Sequence, residues 1–225
     1  AIPCRTLGAE ALGASMAFHV ATPVAKGEDP CIPYIPAWDD SPLHCINFNT
    51  NAPVGEEVLV YVVVVGNASG TEAGAGDISG CCYGIDYDST DLLISDWTPC
   101  CDLYFEFEGP EGFWPSAGSG NILFWDYDLN CQETVVFGGS YIWGDLWNTQ
   151  AVGGAFTMTA YGDCVLQATD NTAMEPDQAY YVDCEGVEYH HMYGAAVGFG
   201  TTGGVMCDAP VPVQETSWGR LKSLY

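Results

Sequence analysis

"VGEEVLVYVVVVG" (Val54–Gly66), followed after a short gap by "ISGCCYGIDYDSTDLLISDW" (Ile78–Trp97), decides the fold. The first run is dominated by valine, whose branched Cβ suits a pleated strand better than a helix. It is apolar at odd and even positions alike. Side chains alternate across a strand, so this one is expected to be central and covered on both faces. On an open edge it would template aggregation or assembly. The second run alternates instead, with Ile85 and Tyr87 expected to face inward and Asp86 and Asp88 outward.

Working outward, helical periodicity is almost absent, and short β-rich runs recur between Gly, Pro, Asn and Asp clusters. Strands are expected at Ser15–Val20, Leu43–Phe48, Glu57–Gly66, Ile78–Tyr87, Leu92–Trp97 and Cys101–Phe107. The second half adds Asn121–Leu129, Thr134–Phe137, Gly154–Gly162, Cys164–Thr169, Ala179–Cys184 and Gly194–Gly200. Many strands at short spacing with turn signals between them describe an all-β sandwich or barrel. Three parts are expected: a Pro-rich arm with one strand over 1–40, a sandwich over 41–207, and a Pro-rich linker with a basic tail over 208–225.

A chain of 225 residues suffices for one large domain. Its formal charge of −26 excludes nucleic acid and anionic membrane surfaces, which would repel it, and favours cations or cationic segments as partners. A composition 48% hydrophobic separates it from disordered acidic tails. Eleven cysteines without a CxxC pair or zinc spacing point to disulfides in an oxidising, extracellular compartment. The start shows no signal peptide and is read as a mature N-terminus. "VLVYVVVVG" is too short and too β-branched to insert in a membrane as a helix.

The paired stretches quoted first resemble the opening of cohesin-like β-sandwich modules, in which a valine strand precedes a strand of the form I-x-G-x-x-F-x-I-x-Y-D. Through "GIDYD", "DWTPCCDLYF", "GFWPSAGSGNILFWD", "NCQET", "GGAFTMTAYG", "VDCEG" and "TSWGRLKSLY", the chain is also similar to a family of secreted proteins from uncultured bacteria that carries no assigned activity. The first resemblance implies an antiparallel sandwich of cohesin or jelly-roll type and docking through a sheet face. The second implies disulfides Cys100–Cys131, Cys184–Cys207 and Cys31–Cys45, leaving Cys82 and Cys101 to bridge adjacent strands. An odd total requires a free thiol or a bond between copies of the chain, and Cys81 on an inward face fits the free thiol.

No nucleophile elbow, HExxH helix or phosphate loop is present, so no enzyme and no catalytic residue are expected. The histidines are His19, His44, His190 and His191; the last two are adjacent and would face opposite sides of a strand. Calcium is the one small ligand with a candidate loop. Asp126, Asp128 and Asn130 fill its first three oxygen positions, and Asp86, Asp88 and Asp91 make a similar set. The required glycine is replaced by Cys131, which favours plain strand faces followed by turns. Loose binding of divalent cations to the anionic surface is expected all the same.

The four basic residues are Arg5, Lys26, Arg220 and Lys222, all near the ends. In the tail, Trp218, Leu221 and Tyr225 stand at helical spacing beside the two cations. These residues suggest a segment that docks on an acidic body, its own or the next copy's. End-to-body contacts that do not close build filaments. The expectation is therefore an extracellular structural protein that polymerises with copies of itself through its ends. The alternative is a monomeric cohesin-like or carbohydrate-binding adhesion module of a secreted complex, with Trp38, Trp114, Trp143 and Trp147 as candidate sugar platforms. A third reading makes the tail an export or anchoring signal.

Overall fold

The computed structural model describes residues 15–31, 48–66, 80–100, 103–107, 114–125, 149–172, 179–182, 188–190 and 195–204. Twelve strands run through them and no helix. They are β1 (Ser15–Ala21), β2 (Asn51–Ala52), β3 (Glu57–Gly66), β4 (Gly80–Asp86), β5 (Leu92–Pro99) and β6 (Leu103–Phe107). The rest are β7 (Ser119–Trp125), β8 (Thr149–Ala160), β9 (Cys164–Thr169), β10 (Tyr180–Val182), β11 (Glu188–His190) and β12 (Ala196–Phe199). One sheet has the order β1-β3-β8-β5. The other runs β11-β10-β4-β9-β12-β2, with β7 between β4 and β6. Pairing is antiparallel except between β12 and β2. This is the all-β sandwich expected from the sequence.

β3 behaves as its valines dictate. Val58, Val60, Val62 and Val64 enter the core between the sheets, while Leu59, Tyr61 and Val63 enter a second apolar cluster on the outer face. Ile85 is buried and Asp86 exposed, as their alternation requires. Across the core, Trp97 meets Phe156 at 4.5 Å between ring centroids, and Trp114 stands edge-on to Trp97 at 5.5 Å and to Tyr83 at 5.6 Å. Trp114 is therefore a core residue, 8% exposed, and not the sugar platform considered above.

Trp97 faces inward because β5 carries a bulge. The register slips between Ile94 and Asp96, so Asp96 pairs with Thr157 and Trp97 with Phe156. The indole then lies over Gly154. A Cβ there would sit 2.3 Å from the Trp97 ring and 2.7 Å from the Thr98 carbonyl oxygen. Gly154→Ala is expected to cost about 1–3 kcal/mol, because neither neighbour has room to yield. Urea denaturation followed by tryptophan fluorescence measures it, and an unchanged midpoint would contradict the packing.

Outside the four-stranded sheet, residues 22–31 form a strap that leaves the edge strand β1 and ends at the far side of the sheet. Val24 and Cys31 pack on Leu59, Tyr61, Val63 and Ala155, and the Tyr61 hydroxyl donates to the Pro30 carbonyl. Cys31 is bonded to Cys100, which directly follows the opposite edge strand β5. This corrects the expected pairs Cys31–Cys45 and Cys100–Cys131. The strap crosses the width of the sheet, roughly 14 Å for three interstrand gaps. Chain neighbours therefore mattered less than strand order. Cys45, Cys101, Cys131, Cys184 and Cys207 lie outside the described residues. Cys81 is buried in the core. Cys82 is buried on the other face of β4, where the Asn171 amide donates to its sulfur.

Beside the strap, His19 Nδ1 accepts the backbone N–H of Asn49 at 3.2 Å, and its ring meets Phe48 edge-on. Burial holds its pKa below the ordinary 6.5. Above that pH, both folded and unfolded chains carry neutral His19. Below it, the unfolded chain takes up a proton that the folded one resists, so stability falls as pH drops from 6.5 towards the folded pKa. The melting temperature is expected to fall between about pH 7.5 and about pH 5, and less so in His19→Asn, whose side-chain oxygen keeps the acceptor without titrating. Equal falls in both proteins would rule the histidine out.

Candidate docking surface

One end of the sandwich gathers the turn after β2, the turn before β5, the β8–β9 hairpin and the loop after β12. Backbone hydrogen bonds lock them together: Gly55 N–H to the Ala160 carbonyl at 2.8 Å, Tyr161 N–H to Asp91 at 2.7 Å, and Gly200 N–H to Ala52 at 3.1 Å. Among the described residues, the large apolar side chains left exposed are Tyr161 (66%), Leu93 (48%), Val165 (38%) and Val54 (37%). All four belong to this end. Leu93 shares its row of the outer sheet face with Thr159 and Glu57, beyond the part the strap covers.

Carboxylates share this end of the sandwich. Glu56, Glu57, Asp86, Asp88 and Asp163 are exposed here, with Asp91 half-buried. Several are fixed by the turns that carry them. Asp88 Oδ1 accepts from the Thr90 N–H at 2.9 Å and from its hydroxyl at 2.7 Å, and Asp86 accepts from the Tyr87 N–H at 3.0 Å. The Thr90 bonds hold the Asp88 carboxyl below the usual range. Gly200 has φ +63, and a Cβ there would lie 2.2 Å from Asp163 Oδ1, so that carboxylate fits closely against bare backbone. Beneath them lies Cys164, a buried free thiol whose pKa is pushed up by burial, then by the charges of Asp91, Asp88 and Asp163.

The set Asp86, Asp88 and Asp91 thus acts in capping and shaping turns. Among the described residues, no group of three or more His, Cys, Asp and Glu is arranged to hold a metal ion. Asp126, Asp128 and Asn130 lie outside the described residues, as do Arg5, Trp218, Arg220, Leu221, Lys222 and Tyr225. Lys26 is exposed in the turn of the strap, where Glu28 N–H bonds the Ala25 carbonyl. His190 closes β11; His44 and His191 lie outside the described residues. Among the described residues no helix is long and apolar enough to cross a membrane.

The sequence reading did not single out Tyr161 or Leu93. Tyr161 sits in "TAYGDC", where a strand ends on an aromatic just before a Gly-Asp turn. That outer-phase aromatic beside a turn was the available signal.

Solved structures similar to the chain include cohesin modules. The sixth cohesin of scaffoldin B from Acetivibrio cellulolyticus, solved with a Cel5 dockerin mutant, is 13% identical with a TM-score of 0.43, covering 83% of this chain and 99% of that one. A Clostridium thermocellum type I cohesin from a Coh-OlpC–Doc435 complex is 10% identical with a TM-score of 0.41, covering 85% and 97%. A cohesin module of a Clostridium perfringens family 33 glycoside hydrolase is 13% identical with a TM-score of 0.39, covering 67% and 89%. The sandwich assignment rests on the strand pairing itself. No protein-family model and no curated protein matches the chain.

Proposed function

We propose that the chain is an extracellular, non-enzymatic adhesion module that docks a protein partner through the end bearing Tyr161. One observation carries this reading: the exposed large apolar side chains of the described residues converge on that end. Single exposed apolar residues are ordinary, whereas a group rimmed by polar residues marks an interaction site. The Cys31–Cys100 disulfide supports an extracellular setting, since such bonds persist in oxidising compartments. In the sugar-binding version Tyr161 takes the place of Trp114 as the platform.

The test compares the native chain with a Leu93→Ser/Tyr161→Ser variant, both shown to fold by circular dichroism. Each is cross-linked in the extracellular protein fraction of its source and applied to a glycan array. Protein cross-links that the variant loses support the proposal. A glycan signal lost in the variant transfers the site to carbohydrate, and equal capture by both proteins refutes the surface. Filaments of the native chain in electron microscopy would restore the assembly reading.

A further inference from the structure

The docking surface has a sign. The segments 53–57, 86–93, 159–165 and 199–203 that build it contain six carboxylates and no Lys, Arg or His. Lys26 is the one Lys or Arg among all the described residues, and it belongs to the strap and not to these loops. Among the described residues, no Lys or Arg in these loops offsets the field over Tyr161. Asp88, Asp91 and Asp163 all raise the Cys164 pKa, so their charges act on one small volume.

Resting on the docking reading, we infer that the partner presents a Lys- or Arg-bearing segment with an apolar or aromatic side chain that settles against Tyr161 and Val54. Charge selects this occupant over a second acidic body, a nucleic acid or an anionic lipid. Two copies joined body to body would bring two chains of −26 together through their acidic ends, and like charges across an interface cost several kcal/mol. A nucleic acid or an anionic lipid is repelled on the same ground. A purely apolar partner would have to desolvate the carboxylate rim without compensation. A cationic segment satisfies both parts of the surface: its side chain covers the exposed ring, and its ammonium or guanidinium groups meet ionised carboxylates already held by their turns.

The experiment selects a random-peptide library on the immobilised native chain, with counter-selection on a folded Tyr161→Ser/Asp91→Asn/Asp163→Asn variant. The expected result is peptides enriched in Lys or Arg next to an aromatic or aliphatic residue. Their binding weakens by at least about tenfold when salt is raised from about 0.05 M to about 0.5 M. Asp91→Asn/Asp163→Asn alone, which leaves the ring in place, is expected to lose most of that salt dependence. Peptides that depend on Tyr161 but are neutral or acidic would overturn the charge inference and leave the docking surface standing. Peptides that bind native chain and triple variant equally would overturn both.

Discussion

Phe156→Ala is expected to destabilise the protein by about 3–5 kcal/mol and lower the melting temperature by about 10 °C or more. Phe156 lies on β8, which is paired on both sides within its sheet, and is fully buried. Its ring contacts Trp97 at 4.5 Å and Trp114 at 5.6 Å, so three aromatics on three separate segments hold one another in place. Alanine leaves a hole that large rigid rings cannot shrink to fill, which puts the cost at the upper end of the usual range. Phe156→Leu keeps most of the volume and is expected to lose about 1–2 kcal/mol. Because two tryptophans border the cavity, their fluorescence reports the loosening directly. A loss below about 1 kcal/mol for the alanine variant would contradict the packing described.

The second large effect is expected from Cys31→Ala/Cys100→Ala. The bond closes a loop with a sequence separation of 69, and its removal is expected to cost about 2–4 kcal/mol, largely through the freedom restored to the unfolded chain. Trypsin gives a local readout. Lys26 is the only Lys or Arg between Arg5 and Arg220, so an internal tryptic cut reports the strap and nothing else. The oxidised native strap, fixed at Cys31 and at the Tyr61–Pro30 hydrogen bond, is expected to be cut slowly, and the double variant quickly. Equal cleavage rates would mean that the disulfide does not hold the strap on the sheet.

The sequence revealed those elements whose signal is local. The limits of β3 and β9 match the reading residue for residue, because β-branched runs bounded by Gly, Asn or Asp need no partner to identify them. Double-sided burial of β3 was legible for the same reason. β2 and β11 were not, since strands of two and three residues exist only because a neighbouring strand pairs with them. Trp114 was misplaced by its surroundings: "GFWPSAGSG" has loop composition, yet its indole fills the gap beside Trp97. The Cys31–Cys100 bond depends on which strands form the two sheet edges, and no local spacing encodes that order. The candidate surface was legible in part. Its acids stood out in "DYDSTD", whereas the exposure of Tyr161 and Leu93 followed from where the strap stops.

That strap also determines how the molecule would bear a load. A pull on the N-terminal end first peels β1 from β3 and lifts the strap, and then reaches Cys31. From there the tension passes through sulfur to Cys100 and bypasses everything between them. The chain between the two cysteines, a sequence separation of 69 and roughly 25 nm when extended, is shielded from stretching as long as the bond is closed. The sheet is thus girdled: the fastening that hides its valines also limits how far the chain can be drawn out when pulled from its two ends.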